Sequence, residues 1–251
     1  MIDVVIPIDP KDFRVLLLTI ESVRSNLSHT IDNIFVISLD NDLIKIFCAQ
    51  HGCIHINEDT ILPIKLNDID YKVKGKNRAG WIFQQLIKLS TDCISDKKYI
   101  FVIDADTILV RPQSFISENK MVLLTADEFH KPYFRTFKRI FGYHTVSPVS
   151  FIAHQMFFSA KHLSKLKMEI EKTNNKPWYQ AIIDNLDTNE NSSFSEYETY
   201  GNWMMKKYPK LIKTEYFFNV RLMEIHTYSL DHFTRMYGRS YSSISIHKYP
   251  S

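Results

Sequence analysis

Five hydrophobic or aromatic residues in a row, Tyr99-Ile-Phe-Val-Ile103, run straight into Asp104-Ala105-Asp106. A β-branched and aromatic run without polar alternation predicts a strand covered on both faces, so the fold must supply a layer above it and another below. Strands of that kind belong to parallel α/β sheets, whose ligands bind beyond the carboxyl ends of the strands. Asp104 and Asp106 would lie at such an end. In an extended segment their side chains project to one side, with Ala105 opposite and too small to obstruct. Two carboxylates sharing one volume repel unless a cation or donors lie between them, and hard oxygen ligands suit Mg²⁺ or Mn²⁺. The plainer alternative is a turn capped by Asp104, with Asp106 solvated and Arg111-Pro112 ending the segment.

The flanking sequence supplies the layers. Strand Asp3–Ile8 leads through Asp9-Pro10-Lys11-Asp12 into a helix over Phe13–Asn26; strand Asn33–Ser38 leads into a helix over Asp42–Gln50; a short strand follows at Cys53–Asn57. Repeated β-α units predict a parallel sheet, and 251 residues suit one α/β domain with a full core. Further on come a strand at Met121–Thr125, a strand-like run at Ser150–Phe158, and helices at Lys161–Lys172 and Pro177–Asn185. A net charge of +3 without long charge runs gives nucleic-acid binding no support. Three cysteines without metal-site spacing point to reduced thiols, and the longest aliphatic run, Val15–Leu18, is far too short to span a bilayer. A cytoplasmic, non-exported protein is the expectation.

Several stretches carry chemistry beside a bland reading. In the helix Gly80–Leu89, Trp81, Gln84, Gln85 and Lys88 share one face opposite Ile82, Phe83, Leu86 and Leu89, a stripe suited to stacking, hydroxyl pairing and phosphate neutralisation, or to core packing by Trp81. The polar loop Lys65–Arg78 is a solvated surface or a loop closing on a pyrophosphate, with Arg78 best placed. Ala126-Asp127-Glu128 puts carboxylates after another strand. The segment 130–143 interleaves Lys131, Arg135, Lys138 and Arg139 with aromatics, as a packed amphipathic helix or a peripheral contact with an anionic membrane at its inner face. His154-Gln155 is a polar pair in an apolar strand, a satisfied core pair or a binder of sugar hydroxyls. Ser195 and Glu198 fit a capping box, which leaves Glu196 unexplained.

Three motifs together, Asp104-x-Asp106, Gly80-Trp-x-x-Gln-Gln85 and Ser195-Glu-Tyr-Glu-x-Tyr-Gly201, resemble GT-A-fold, nucleotide-sugar-dependent glycosyltransferases, in particular the small bacterial enzymes that build capsule and lipopolysaccharide. The resemblance implies a single GT-A (Rossmann-like) α/β domain over residues 1–251, with a mixed, mostly parallel central sheet flanked by helices. Residues 1–112 would form the donor half and residues 113–251 the acceptor half. It implies a metal-dependent transfer of a sugar from a nucleotide-diphosphate donor to a hydroxyl of a glycan or lipid-linked glycan. Mn²⁺ or Mg²⁺ would be held by Asp104, Asp106 and His247; Pro7, Ile8, Asp9, Arg78, Trp81, Gln85, Lys88, Asp104, Ala105 and Asp127 would meet the donor. His154, Gln155 and Glu198 would meet the acceptor, and Glu196 would be the base of an inverting reaction, with Asp106 acting through the metal. A haloacid-dehalogenase phosphatase also uses Asp-x-Asp but wants Gly-Thr after it, where this chain has Thr107-Ile108; a nucleotidyltransferase wants a glycine-rich first loop, and residues 7–12 contain no Gly. A non-catalytic nucleotide- or glycan-binding module is the rival that motifs alone leave standing.

Overall fold

In the computed structural model the described residues are 1–146, 149–224 and 229–246. The first half alternates as the hydrophobic runs require: β1 Ile2–Pro7, α1 Phe13–Asn26, β2 Ile31–Ser38, α2 Asp42–Gln50 and β3 Ile54–Asn57. A small hairpin, β4 Lys72–Val73 with β5 Lys76–Asn77, leads into α3 Ala79–Leu89 and the pivotal strand β6 Tyr99–Ile103. Then come β7 Thr107–Leu109, β8 Ile116–Ser117, β9 Lys120–Thr125, α4 Lys131–Phe141, β10 Gln155–Ser159, α5 Ala160–Asn174, α6 Trp178–Asp184 and α7 Glu196–Lys207. The last described elements are β11 Ile212–Tyr216, β12 Asn219–Leu222, α8 Leu230–Tyr237 and β13 Ser243–Ile246.

The central sheet has the order β10-β6-β1-β2-β3, parallel throughout except for β10, which runs antiparallel to β6. Every residue of β1, and of β6 from Ile100 to Ile103, is buried, which explains why neither strand shows polar alternation. The fold is thus α/β with a mixed, mostly parallel central sheet flanked by helices. The expected strand Met121–Thr125 exists as β9 but belongs to a separate three-stranded sheet, β11-β9-β8. A third sheet, β12-β13-β7, forms from the C-terminal segment and the strand just after the Asp-x-Asp stretch.

Two local expectations are corrected. The strand predicted over residues 150–158 begins only at Gln155, because His154 has a left-handed backbone with φ 53°. The segment 104–106 is not extended: Thr107 N donates to Asp104 O at 3.0 Å and closes a turn, so strand alternation does not govern where the two carboxylates point.

Candidate functional site

The turn after β6 is held by its backbone from three directions. Asp104 N donates to His154 O at 2.9 Å, the buried Thr19 hydroxyl of α1 donates to Ala105 O at 2.8 Å, and Ile246 N of β13 donates to Asp106 O at 2.9 Å. Ala105 is itself buried, so the turn is fixed by α1, by the start of β10 and by the last described strand. Nothing in the local sequence around Thr19 marks it for this task.

Below the turn lies a charged cluster. Lys88 Nζ sits 2.5 Å from Asp104 Oδ1 and 2.8 Å from Glu196 Oε1, the latter an ion pair outside hydrogen-bond geometry. The Tyr197 hydroxyl donates to Asp104 Oδ1 at 3.2 Å, and Lys88 Nζ lies 4.6 Å from the Tyr197 ring centre. His154 Nδ1 faces Asp104 Oδ2 at 3.4 Å. Burial pushes the Asp104 carboxyl up, yet Lys88 and His154 outweigh it and hold the group well below the usual carboxylate range. Burial alone would lower Lys88 and His154; Asp104, joined at Lys88 by Glu196, raises both. Glu196 shows the opposite balance, because burial outweighs its one cation and raises its carboxyl. His154 keeps a backbone conformation that is costly for a non-glycine residue, at about 1–3 kcal/mol, pinned at its carbonyl and at its ring by the same Asp104.

The segment Ser195–Gly201 that opens α7 is legible residue by residue. Ser195 caps the helix by accepting from Glu198 N at 3.2 Å. The reciprocal half of the expected capping box is replaced: the buried Glu198 carboxylate accepts from Ser150 Oγ at 2.7 Å, Phe151 N at 3.0 Å and Asn202 Nδ2 at 2.6 Å. Tyr200 accepts from Ser159 N at 3.1 Å, and Gly201 lies against the Phe151 ring, where an added Cβ would stand 2.2 Å from Cγ. The motif therefore docks α7 onto the 150–159 segment and delivers Tyr197 to Asp104. Sequence reasoning passed over Tyr197, although its place between two glutamates was the available signal.

The structure brings several expected residues together and separates others. Gln85 is buried, with its Oε1 3.5 Å from Glu196 N, and Lys88 spends its charge inside the protein, so neither is placed as an open phosphate or sugar contact. Trp81 has Arg78 over its ring at 5.1 Å and Tyr133 stacked at 6.5 Å, which occupies the indole the stripe offered for stacking. Arg78 also donates from Nε to Asn191 O at 2.8 Å. Gln155 is buried and donates to Gln113 Oε1 at 3.2 Å, while its Oε1 has no partner. Pro7 ends β1 and Ile8 follows it, both against Ile37; Asp9 caps the next turn by accepting from Lys11 N at 3.0 Å. Asp127 is exposed after β9, close enough to Tyr216 to raise its hydroxyl beyond the effect of burial. On α4, Arg135 pairs with Glu190 at 2.6 Å and Arg139 with Asp187 at 3.4 Å, so two of its four interleaved cations are paired within the chain instead of waiting for a membrane. No helix among the described residues is long and apolar enough to cross a membrane.

His247 lies outside the described residues. Among the described residues no group of three or more His, Cys, Asp or Glu side chains could hold a metal ion. The chemistry of the donor set still fits one: Asp106 and Asp104 supply hard oxygens, although three of the roughly four lone-pair directions of Asp104 already meet Lys88, Tyr197 and His154.

The architecture matches solved GT-A glycosyltransferases. A galactosyltransferase LgtC in complex with donor and acceptor sugar analogs superposes with a TM-score of 0.51 at 12% identity, covering 98% of this chain and 87% of that one. An active-site mutant of LgtC gives 0.50 at 13% identity, covering 100% and 88%. A mouse xyloside xylosyltransferase 1 in its apo form gives 0.48 at 12% identity, covering 97% of each chain. At such identities the likeness is one of fold. No curated protein matches the sequence. A family model spanning residues 2–232 does match, and by that measure the chain belongs to DUF6492, a family of unknown function.

Proposed function

We propose that this chain is a metal-dependent glycosyltransferase that moves a sugar from a nucleotide-diphosphate donor to a hydroxyl of a glycan or lipid-linked glycan. Bacterial surface polysaccharide synthesis, on the cytoplasmic side of the membrane, is the setting we propose. The observation that carries the reading is the anchored Asp104-Ala105-Asp106 turn, set just beyond the carboxyl end of β6 in a GT-A fold, over a buried cluster that neutralises Asp104 from within. Asp106 and the remaining lone pair of Asp104 would hold Mn²⁺ or Mg²⁺, with His247 as the third candidate. When bound, the cation supplies positive charge for the diphosphate that departs with the nucleotide.

The chain's own residues would do the rest. Pro7 and Ile8, buried at the end of β1, and the exposed Asp9 after them would border the nucleotide; Arg78, half-buried and lying over Trp81, would offer its guanidinium to the donor. His154, held on Asp104, places an imidazole beside the acidic turn, and that carboxylate favours its protonated form. Asp127 offers an exposed carboxylate for sugar hydroxyls.

Calorimetric titration with a panel of nucleoside diphosphates, with Mn²⁺ and with chelator, tests the reading without knowledge of the acceptor. One nucleotide should bind in a metal-dependent manner, and Asp106→Ala should lose that binding by tenfold or more while keeping the wild-type unfolding midpoint. Metal-independent or absent nucleotide binding in the wild type would overturn the proposal and favour a glycan-binding module.

A further inference from the structure

Lys88, Asp104 and Glu196 meet where three elements converge: α3 supplies the ammonium, the turn after β6 one carboxylate, and the first turn of α7 the other. The side chains of Lys88 and Glu196 are 3% and 2% exposed, whereas that of Asp104 is 25% exposed. The cluster is thus a buried pair with one member facing the site. A base must come within hydrogen-bond reach of the hydroxyl it deprotonates, directly or through one water. The Glu196 carboxylate instead faces Lys88, its backbone N–H points to Gln85 Oε1, and the helix that carries it is buried from Glu196 to Met204.

We propose that Glu196 is a positioning residue acting through Lys88 on Asp104, and that it takes no proton from a substrate. This assignment rests on the glycosyltransferase reading of the site. One ammonium shared between two carboxylates is pulled both ways. With Glu196 charged, Lys88 is drawn partly from Asp104, which keeps negative charge for whatever the turn binds. Without that charge, Lys88 belongs to Asp104 alone and quenches it. Tyr197, hydrogen-bonded to the same Asp104 oxygen and lying under Lys88, keeps the ammonium from moving elsewhere.

Two substitutions separate charge from volume. Glu196→Gln keeps the shape and removes the charge; Glu196→Asp keeps the charge and shortens the side chain, within reach of the long lysine stem. Affinity for the Mn²⁺ complex of the nucleoside diphosphate that binds best to the wild type is measured by calorimetry. Residues that support metal ligands from behind typically change affinity 10–100-fold, so Gln should weaken binding by about tenfold or more and Asp by much less. A catalytic base would leave nucleotide binding unchanged in both variants, and a mere filler of volume would favour Gln over Asp. Either pattern overturns the proposal. If the wild type binds no nucleotide, the glycosyltransferase reading fails by itself, and a double-mutant cycle of Lys88→Met and Glu196→Gln on urea unfolding judges the pair without a ligand. Additive effects in that cycle would overturn it, because they would mean that the two residues do not act together.

Discussion

Gly201→Ala should destabilise the protein even though alanine is the better helix former. Gly201 sits inside α7, where the change gains about 0.8–1.0 kcal/mol of helix propensity. Against that gain, the new Cβ would stand 2.2, 2.5 and 2.7 Å from Cγ, Cδ2 and Cδ1 of Phe151, where carbon pairs prefer about 3.5–4.0 Å. Phe151 is fully buried, and its backbone N–H donates to Glu198, one turn earlier on the same helix. The backbone of Phe151 is therefore tied to the helix that crowds its ring, and full burial leaves the ring little room to turn away. Overpacking costs about 1–3 kcal/mol, more where the surroundings cannot give. Three contacts below 3 Å put the cost in the upper part of that range, about 2–3 kcal/mol, so the net loss should be about 1–2 kcal/mol, and at about 2–4 °C per kcal/mol for a chain of this size the midpoint should fall by about 2–8 °C. Thermal and urea unfolding of the variant beside wild type make the comparison. A midpoint equal to or above wild type would refute the argument that the motif's glycine exists for the approach of Phe151.

Tyr197→Phe keeps the ring beneath Lys88 and removes only the bond to Asp104; a bond to a charged group is worth about 1.5–3 kcal/mol, and the loss should fall near the lower end because Lys88 and His154 still hold Asp104. Urea unfolding beside Tyr197→Leu, which also loses the ring, checks it: equal stability of the two variants would remove the ring's contribution. Burial, then the neighbouring Asp59 and Asp9, push the half-buried Glu58 up to about 7. The folded state thus binds the proton more tightly than the unfolded state, and this contribution to stability is present at pH 4 and lost as pH rises through 7. Glu58→Gln should therefore gain on wild type in melting temperature between pH 5 and pH 8; a constant difference across that range would mean that Glu58 titrates normally.

What sequence reasoning reached and missed follows from which interactions are local. The apolar runs Val4–Ile6 of β1 and Tyr99–Ile103 of β6 report burial on both faces, and Ser195 as cap of α7 reports a helix start, because these causes lie within a few residues. The break at His154 was not legible: a bond from Asp104, 50 positions earlier in the chain, sustains its left-handed conformation, and no neighbouring residue announces it. The same holds for Lys88. On its helix it belongs to a polar stripe, and only the arrival of α7 shows that the stripe faces the interior at that point.

The two carboxylates of the Asp-x-Asp stretch look equivalent as letters, and the turn makes them different. Asp104 is the inner member, with one oxygen given to Lys88 and Tyr197 and the other facing His154. Asp106 belongs to a second arrangement, in which its charge is felt by His154 and by Lys11, the lysine that also pairs with Asp9 at 3.2 Å and Asp12 at 3.8 Å on the loop after β1. An ammonium buried on two carboxylates costs several kcal/mol to displace, whereas an exposed pair such as Lys11 with Asp9 is worth about 0–1 kcal/mol. The exposed pairs of Lys11 with Asp9 and Asp12 are therefore cheap to rearrange beside an arriving cation, whereas the buried Lys88 is not. The fixed charge therefore belongs to Asp104, which is tied to Lys88, Tyr197 and His154, and substitutions of the two carboxylates should differ in kind: Asp106→Ala in what the site binds, Asp104→Ala in whether Lys88, Glu196 and His154 still assemble beneath it.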